Sequence, residues 1–169
     1  MSSITVQQSS TTESSCPKDP IIHSATQIWH PHLCNIYGNC IIGAHCNIGA
    51  FVEIGPGVII KDWVRIGAHC FIPEGVTIEE DCFVGPGTIF CNDRYPPGGK
   101  EAWRPVLVRK KASIGAGSVI LPGVEIGEGA MIGAGTVVTR NIPAGWRVVG
   151  NPARRILPHI MNCEKGEIV

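Results

Sequence analysis

The stretch Ile42-Gly43-Ala44-His45-Cys46-Asn47-Ile48-Gly49-Ala50-Phe51-Val52-Glu53-Ile54-Gly55-Pro56-Gly57-Val58-Ile59-Ile60 places an isoleucine at every sixth residue. The cadence extends in both directions. From Ile36 it meets Ile42, Ile48, Ile54, Ile60, Ile66, Ile72, Ile78, Val84 and Phe90, and it returns at Ile114, Ile120, Ile126, Ile132 and Val138. An α-helix would smear these positions around a cylinder, and an ordinary strand would need three apolar residues in every six. Two companion series keep step. Glycine follows the aliphatic at Gly43, Gly49, Gly55, Gly67, Gly85, Gly115, Gly127 and Gly133 and recurs at Gly57, Gly75, Gly87, Gly117, Gly123, Gly129 and Gly135, as expected where the backbone repeatedly turns a corner. Four places after the aliphatic stand Cys40, Cys46, Val52, Val58, Val64, Cys70, Val76, Cys82, Thr88, Ser118, Val124, Ala130 and Thr136, a second inward-facing set.

Three such hexads make one triangular turn whose sides are short strands, and successive turns stack at about 4.8 Å, the spacing of paired strands. The pattern resembles the hexapeptide-repeat family across residues 22–156. That resemblance implies an all-β chain, a left-handed parallel β-helix with one long loop interrupting the coils. The expected organisation is a flexible arm over 1–20, the β-helix over 21–156 with a loop at 91–107, and a tail over 157–169.

Composition narrows the functional classes. Fourteen basic and fourteen acidic residues cancel, leaving no electrostatic footprint for nucleic acid or an anionic membrane. Met1 to Pro20 lack both a basic start and an apolar run, so they read as neither signal peptide nor membrane span, and a cytoplasmic location is expected. Cys34, Cys40, Cys46, Cys70 and Cys82 share the inward phase and read as core thiols. Metal-type spacings such as C-x-x-C are missing, so no metal is expected. Cys46 and Cys82 fall on one face but two turns apart, about 9.6 Å, too far for a disulfide. Cys16, Cys91 and Cys163 lie outside the pattern.

The hexads stop at Phe90 and resume near Val108 or Ile114. The intervening Cys91-Asn92-Asp93-Arg94-Tyr95-Pro96-Pro97-Gly98-Gly99-Lys100-Glu101-Ala102-Trp103-Arg104-Pro105 adds nothing to a solenoid's stability, and loops of this length are commonly functional. Trp63 and Trp103 are candidates for an interface or a substrate shelf.

The segments Ala112–Ser118, Leu121–Val124, Ile132–Pro143 and Val149–Arg154 look like the acetyl-CoA-dependent branch of the family. The resemblance implies that these coils hold the pantetheine arm along an edge, with Ala116 and Ala134 stacked one turn apart. It also sets Thr139, Arg140 and Arg154 near the nucleotide end, where guanidinium groups suit phosphate. Related proteins are homotrimers whose loop reaches a neighbouring subunit.

Acyl transfer to a hydroxyl needs a positioned base, usually histidine. Residues 90–158 hold no histidine. His45 and His69 occupy Gly-Ala-His-Cys turns that should face solvent, and His30 and His32 lie near the start of the β-helix. An amine acceptor removes the difficulty. The stretch Val84–Pro96 resembles the corresponding loop of nucleotide-sugar 3-N-acetyltransferases, which implies Asn92 as the residue orienting the sugar amine and Asp93 as a partner for an ammonium or hydroxyl group. Cys91 and Pro97-Gly98 depart from that pattern. The competing readings are an O-acetyltransferase of the same fold, a non-catalytic assembly module, and a zinc hydratase. The last would need an H-x-x-x-x-H pair that the chain does not contain.

Overall fold

The computed structural model describes residues 18–156; residues 1–17, the tail over 157–169, Cys16 and Cys163 lie outside the described residues. The hexads fold as the cadence requires. Each inward aliphatic is the second residue of a two-residue strand, so one hexad gives one strand and one four-residue corner. Strands three apart in sequence pair in parallel and build three sheets.

The first sheet stacks Ile21–Ile22, Ile41–Ile42, Ile59–Ile60, Thr77–Ile78, Leu107–Val108 and Glu125–Ile126. The second stacks Gln27–Ile28, Asn47–Ile48, Arg65–Ile66, Phe83–Val84, Ser113–Ile114, Met131–Ile132 and Arg147–Val149, then closes with Arg154–Arg155 in antiparallel register. The third stacks Asn35–Ile36, Glu53–Ile54, Phe71–Ile72, Ile89–Phe90, Val119–Ile120 and Val137–Val138. The result is a parallel β-solenoid of about seven coils with two single 3₁₀ turns, Pro31–Leu33 and Lys100–Ala102, among the described residues.

The axis is a continuous aliphatic core. Ile48, Ile54, Ile60, Ile72, Ile78, Phe90, Ile114, Ile120 and Ile126 are fully buried, stacked on the same position of the next coil. The second inward series does more than fill space. Cys40 Sγ donates to the Gly55 carbonyl at 2.9 Å, Cys46 to Lys61 at 3.0 Å, Cys70 to Gly85 at 3.2 Å and Cys82 to Arg109 at 3.0 Å. Thr88 and Ser118 hydroxyls do the same for corner carbonyls. A small donor at this position satisfies a carbonyl that the turn leaves inside. All six described cysteines are free thiols; Cys40, Cys46, Cys70 and Cys82 are buried and Cys34, in the first coil, is partly exposed.

The corner glycines divide into two kinds, a distinction that the sequence pattern merged. A Cβ on Gly85 or Gly115 would sit 2.5 or 2.4 Å from the amide of Ala116 or Ala134 one coil on, so those glycines serve close coil stacking. The left-handed turn belongs to the residue two places later, such as Gly117 at φ +66°.

Candidate active site

The three sheets meet at three edges. The first edge, between sheets one and two, comprises corners 43–46, 61–64, 79–82, 109–112 and 127–130. The second, between sheets two and three, comprises 49–52, 67–70, 85–88, 115–118 and 133–136. The third, between sheets three and one, carries 55–58, 73–76, 121–124 and the interruption over 91–106. Phe83 pairs with Ser113 where Arg65 pairs with Phe83, so the interrupted coil is twelve residues longer than the eighteen-residue coil before it.

The loop is folded rather than splayed. Its base is closed where Arg104 N–H donates to the Asn92 carbonyl and Gly123 N–H donates to the Arg104 carbonyl, both at 2.8 Å. The Asp93 carboxylate accepts from the amides of Tyr95 at 3.0 Å and Gly98 at 2.7 Å, holding the loop's first turn. Lys100 Nζ lies 2.7 Å from Glu74 Oε2 in the preceding coil and 5.5 Å from the Trp103 ring. The loop thus leans back toward earlier coils along the third edge.

Beneath it is a cavity of about 320 Å³, lined by Tyr37, Glu53, Phe71, Glu74, Asn92 and Trp103, with Gly55, Pro56 and Pro73 as its floor. Asn92 and Trp103 therefore line one cavity. Asp93 does not line this cavity, and its oxygens are engaged by the loop's own amides. No histidine among the described residues lines it either. His45 and His69 stand at exposed corners, His45 stacked on Trp63 at 4.2 Å and His69 on Phe51 at 4.7 Å. Trp63 is thus part of an aromatic ladder on the first edge, remote from the loop's edge.

The expected donor-binding residues lie on different parts of the prism. Ala116 and Ala134 stack on the second edge, where Gly135 N–H donates to the Ala116 carbonyl at 2.8 Å. Both alanines are exposed, and a Cβ on Gly117 or Gly135 would meet nothing within 4 Å, so this edge is smooth and open. Thr139 and Arg140 fall on the third edge, beyond the loop. Arg140 lines a cavity of about 280 Å³ with Trp146 and Arg155 at the C-terminal end. Arg154 is outside that cavity, its Nη1 donating to the Ala153 carbonyl at 3.1 Å. Arg155 lines that cavity and lies 4.4 Å over the Trp146 ring.

A larger depression of about 640 Å³ runs beside the first edge. Most of its charges are paired: Arg109 bridges Glu125 at 2.7 Å and Glu79 at 3.0 Å, and Lys110 lies 3.6 Å from Glu128. Burial pushes Cys40, Cys46, Cys70 and Cys91 upward and Cys82 up to about 12. No group of three or more metal-ligating side chains occurs among the described residues.

Comparison with known proteins places this geometry. The family model described as bacterial transferase hexapeptide (six repeats) matches residues 48–80 and 105–140, on either side of the loop. A solved structure from Bacillus cereus, assigned as an acetyltransferase, is similar over 82% of this chain and 77% of its own, at 31% identity and a TM-score of 0.68. The chain belongs to the hexapeptide-repeat acetyltransferase family.

Among curated relatives, nodulation protein L of Rhizobium meliloti is 55% identical over 56 residues, 33% of this chain and 31% of its own length. The dTDP-3-amino-3,6-dideoxy-α-D-galactopyranose 3-N-acetyltransferase of Aneurinibacillus thermoaerophilus is 44% identical over 63 residues, 37% of this chain and 32% of its own. The chain thus spans about a third of the length of these relatives. The acetyltransferase domain of PglB from Neisseria gonorrhoeae, solved with acetyl coenzyme A, shares the fold at 23% identity and a TM-score of 0.67, over 78% of this chain and 58% of that one.

Proposed function

We propose that the chain is an acetyl-CoA-dependent N-acetyltransferase acting on the amino group of a nucleotide-linked amino sugar, working as a homotrimer in the cytoplasm. The observation that carries this reading is the cavity under the loop: it holds Asn92 and an aromatic shelf from Trp103, and no imidazole among the described residues lines it. The family supplies the acyl chemistry, and the relative that acetylates a dTDP-linked amino sugar supports the acceptor class.

In this reading the acceptor nitrogen attacks the thioester carbonyl, the C–S bond breaks, and the departing thiolate takes up a proton from the nitrogen. A neutral amine needs orientation more than activation. The Asn92 side chain, which makes no hydrogen bond with another described residue, is free to accept an N–H of the acceptor and aim its lone pair. The open second edge at Ala116 and Ala134 accommodates the extended pantetheine arm against the backbone. Arg140 and Arg155 at the C-terminal end supply permanent charge for its phosphates.

The loop's edge and the smooth edge are different edges of one chain, which supports a site built where two chains meet. No helix among the described residues is long and apolar enough to cross a membrane. The test is an acetylation screen of UDP- and dTDP-linked amino sugars, read by thiol release and product mass. A mass gain of one acetyl on nitrogen is expected; release with none of these acceptors would remove the assignment.

A further inference from the structure

The cavity under the loop holds two carboxylates in different states. Glu74 is matched by Lys100 at 2.7 Å. Glu53 has no cation partner among the described residues; its one side-chain neighbour in hydrogen-bonding range is the Tyr37 hydroxyl, which donates to Oε1 at 3.4 Å. No arginine, lysine or histidine among the described residues lines the cavity to balance it. Around Glu53 stand three aromatic rings: Tyr37, 42% exposed; Phe71, 39% exposed and directly beside Glu53 in the third sheet; and Trp103 from the loop. An uncompensated carboxylate walled by aromatic faces attracts a cation, since ring faces and carboxylate both stabilise positive charge.

We propose that Glu53 is the acceptor-binding carboxylate: the cavity receives a primary ammonium group, and Glu53 takes the proton whose loss frees the nitrogen for attack. This rests on the N-acetyltransferase reading and adds to it a specificity-determining group that the sequence pattern did not single out. Most amino-sugar nitrogen is protonated near neutral pH, so a site that binds only the free base would compete for the minor form.

The proton balance is complete. The ammonium gives one proton to the Glu53 carboxylate and becomes a neutral amine. The amine forms the C–N bond to the acetyl carbon as the C–S bond breaks. The second N–H proton goes to the thiolate of CoA, and the proton held on Glu53 returns to solvent. Tyr37, whose hydroxyl lies 3.4 Å from Glu53 Oε1, acts as a positioning residue for that oxygen. A hydroxyl acceptor can donate a hydrogen bond to Glu53 but carries no charge to pair with it, so the same arrangement favours binding of an ammonium over a hydroxyl.

The experiment is calorimetric titration of the full chain with dTDP-3-amino-3,6-dideoxygalactose and with its 3-hydroxyl counterpart, dTDP-fucose, for wild type, Glu53→Gln and Glu53→Asp. Wild type is expected to bind the amine at least about tenfold more tightly than the hydroxyl compound, the scale of one charge-assisted hydrogen bond. Glu53→Gln abolishes that preference and Glu53→Asp retains part of it. Glu53 sits on the solvent side of its strand, so neither change disturbs the core. A preference unchanged in Glu53→Gln, or a wild type that binds both compounds equally or neither, overturns the proposal. Acetyl transfer measured on the same samples separates the two readings. Amine preference lost in Glu53→Gln without any transfer sustains the Glu53 site and fells the enzymatic assignment. Transfer with an unchanged preference does the reverse.

Discussion

Cys82 shows what a single inward position does in this molecule. Its thiol is buried, donates to the Arg109 carbonyl, and is raised from an ordinary 9.0 to about 12, chiefly by burial and then by Glu79, Asp81 and Glu80 nearby. A raised acid holds its proton longer in the folded state, so its contribution to stability is complete below pH 9 and disappears as the pH rises toward 12. Cys82→Val, the residue found at positions 52, 58, 64 and 76 of the same series, is expected to flatten that alkaline loss while costing under about 1.5 kcal/mol at pH 7. Chemical denaturation at pH 7 and pH 10.5 measures both. An alkaline loss as steep as in wild type would contradict the assignment. The facing of the cysteines was legible from their phase. Their hydrogen bonds were not, because periodicity reports which way a side chain points and not which carbonyl awaits it.

Asn92 sits at the same scale. It lines the cavity, and its backbone carbonyl also closes the loop's base. Asn92→Ala removes the side chain alone, so turnover should fall about ten- to a hundredfold while CoA affinity stays within a factor of two. Steady-state kinetics with parallel CoA titration decides this, and unchanged turnover would remove Asn92 from the chemistry. The sequence reading set Asp93 beside it as a partner for an ammonium or hydroxyl group. Its oxygens accept from two loop amides, contacts that residue type and spacing do not reveal.

At the level of the corner, two glycines two residues apart do different work. Gly115 stacks against the Ala134 backbone, and any Cβ there must displace a neighbouring coil. Gly117 has open space but a φ of +66°. Gly115→Ala is therefore expected to cost about 1–3 kcal/mol by overpacking and Gly117→Ala about 1–2 kcal/mol by backbone strain. Gly117→Asn should recover part of its loss, because asparagine tolerates the left-handed region, whereas Gly115→Asn should not. Urea unfolding of the four variants distinguishes the causes; equal rescue by asparagine at both sites would refute the division. The sequence displayed both glycine series and assigned them one job, since spacing alone cannot tell close approach from chirality.

The loop was legible as an interruption of the cadence. That it leans back onto Glu74 and encloses Tyr37 and Glu53 was not, because those partners lie 26 or more residues upstream and no periodic signal joins them to it. Counting hexads in threes does place Ala116 and Ala134 on a different edge from Asn92, so that separation was available from the sequence and only the prism makes it plain.

For the whole molecule, the separation of the loop's edge from the smooth edge has a direct consequence. If each site joins the loop of one chain to the edge of another, two differently impaired chains can rebuild a working site between them. Mixing Asn92→Ala chains with Ala116→Trp chains by dissociation and reassembly should restore a measurable fraction of activity, in particles of about three times 18.0 kDa by light scattering. Activity no greater than that of the separate variants would contradict a shared site.

The most direct test of the account is thiol release from acetyl-CoA with two acceptors that differ only at one carbon, an amino group in one nucleotide sugar and a hydroxyl in the other. A cavity with Asn92 and Glu53 and no imidazole among the described residues predicts release with the amine at least a hundredfold faster than with the hydroxyl, and an amide in the product. Equal release with the hydroxyl compound, giving an ester, would contradict it.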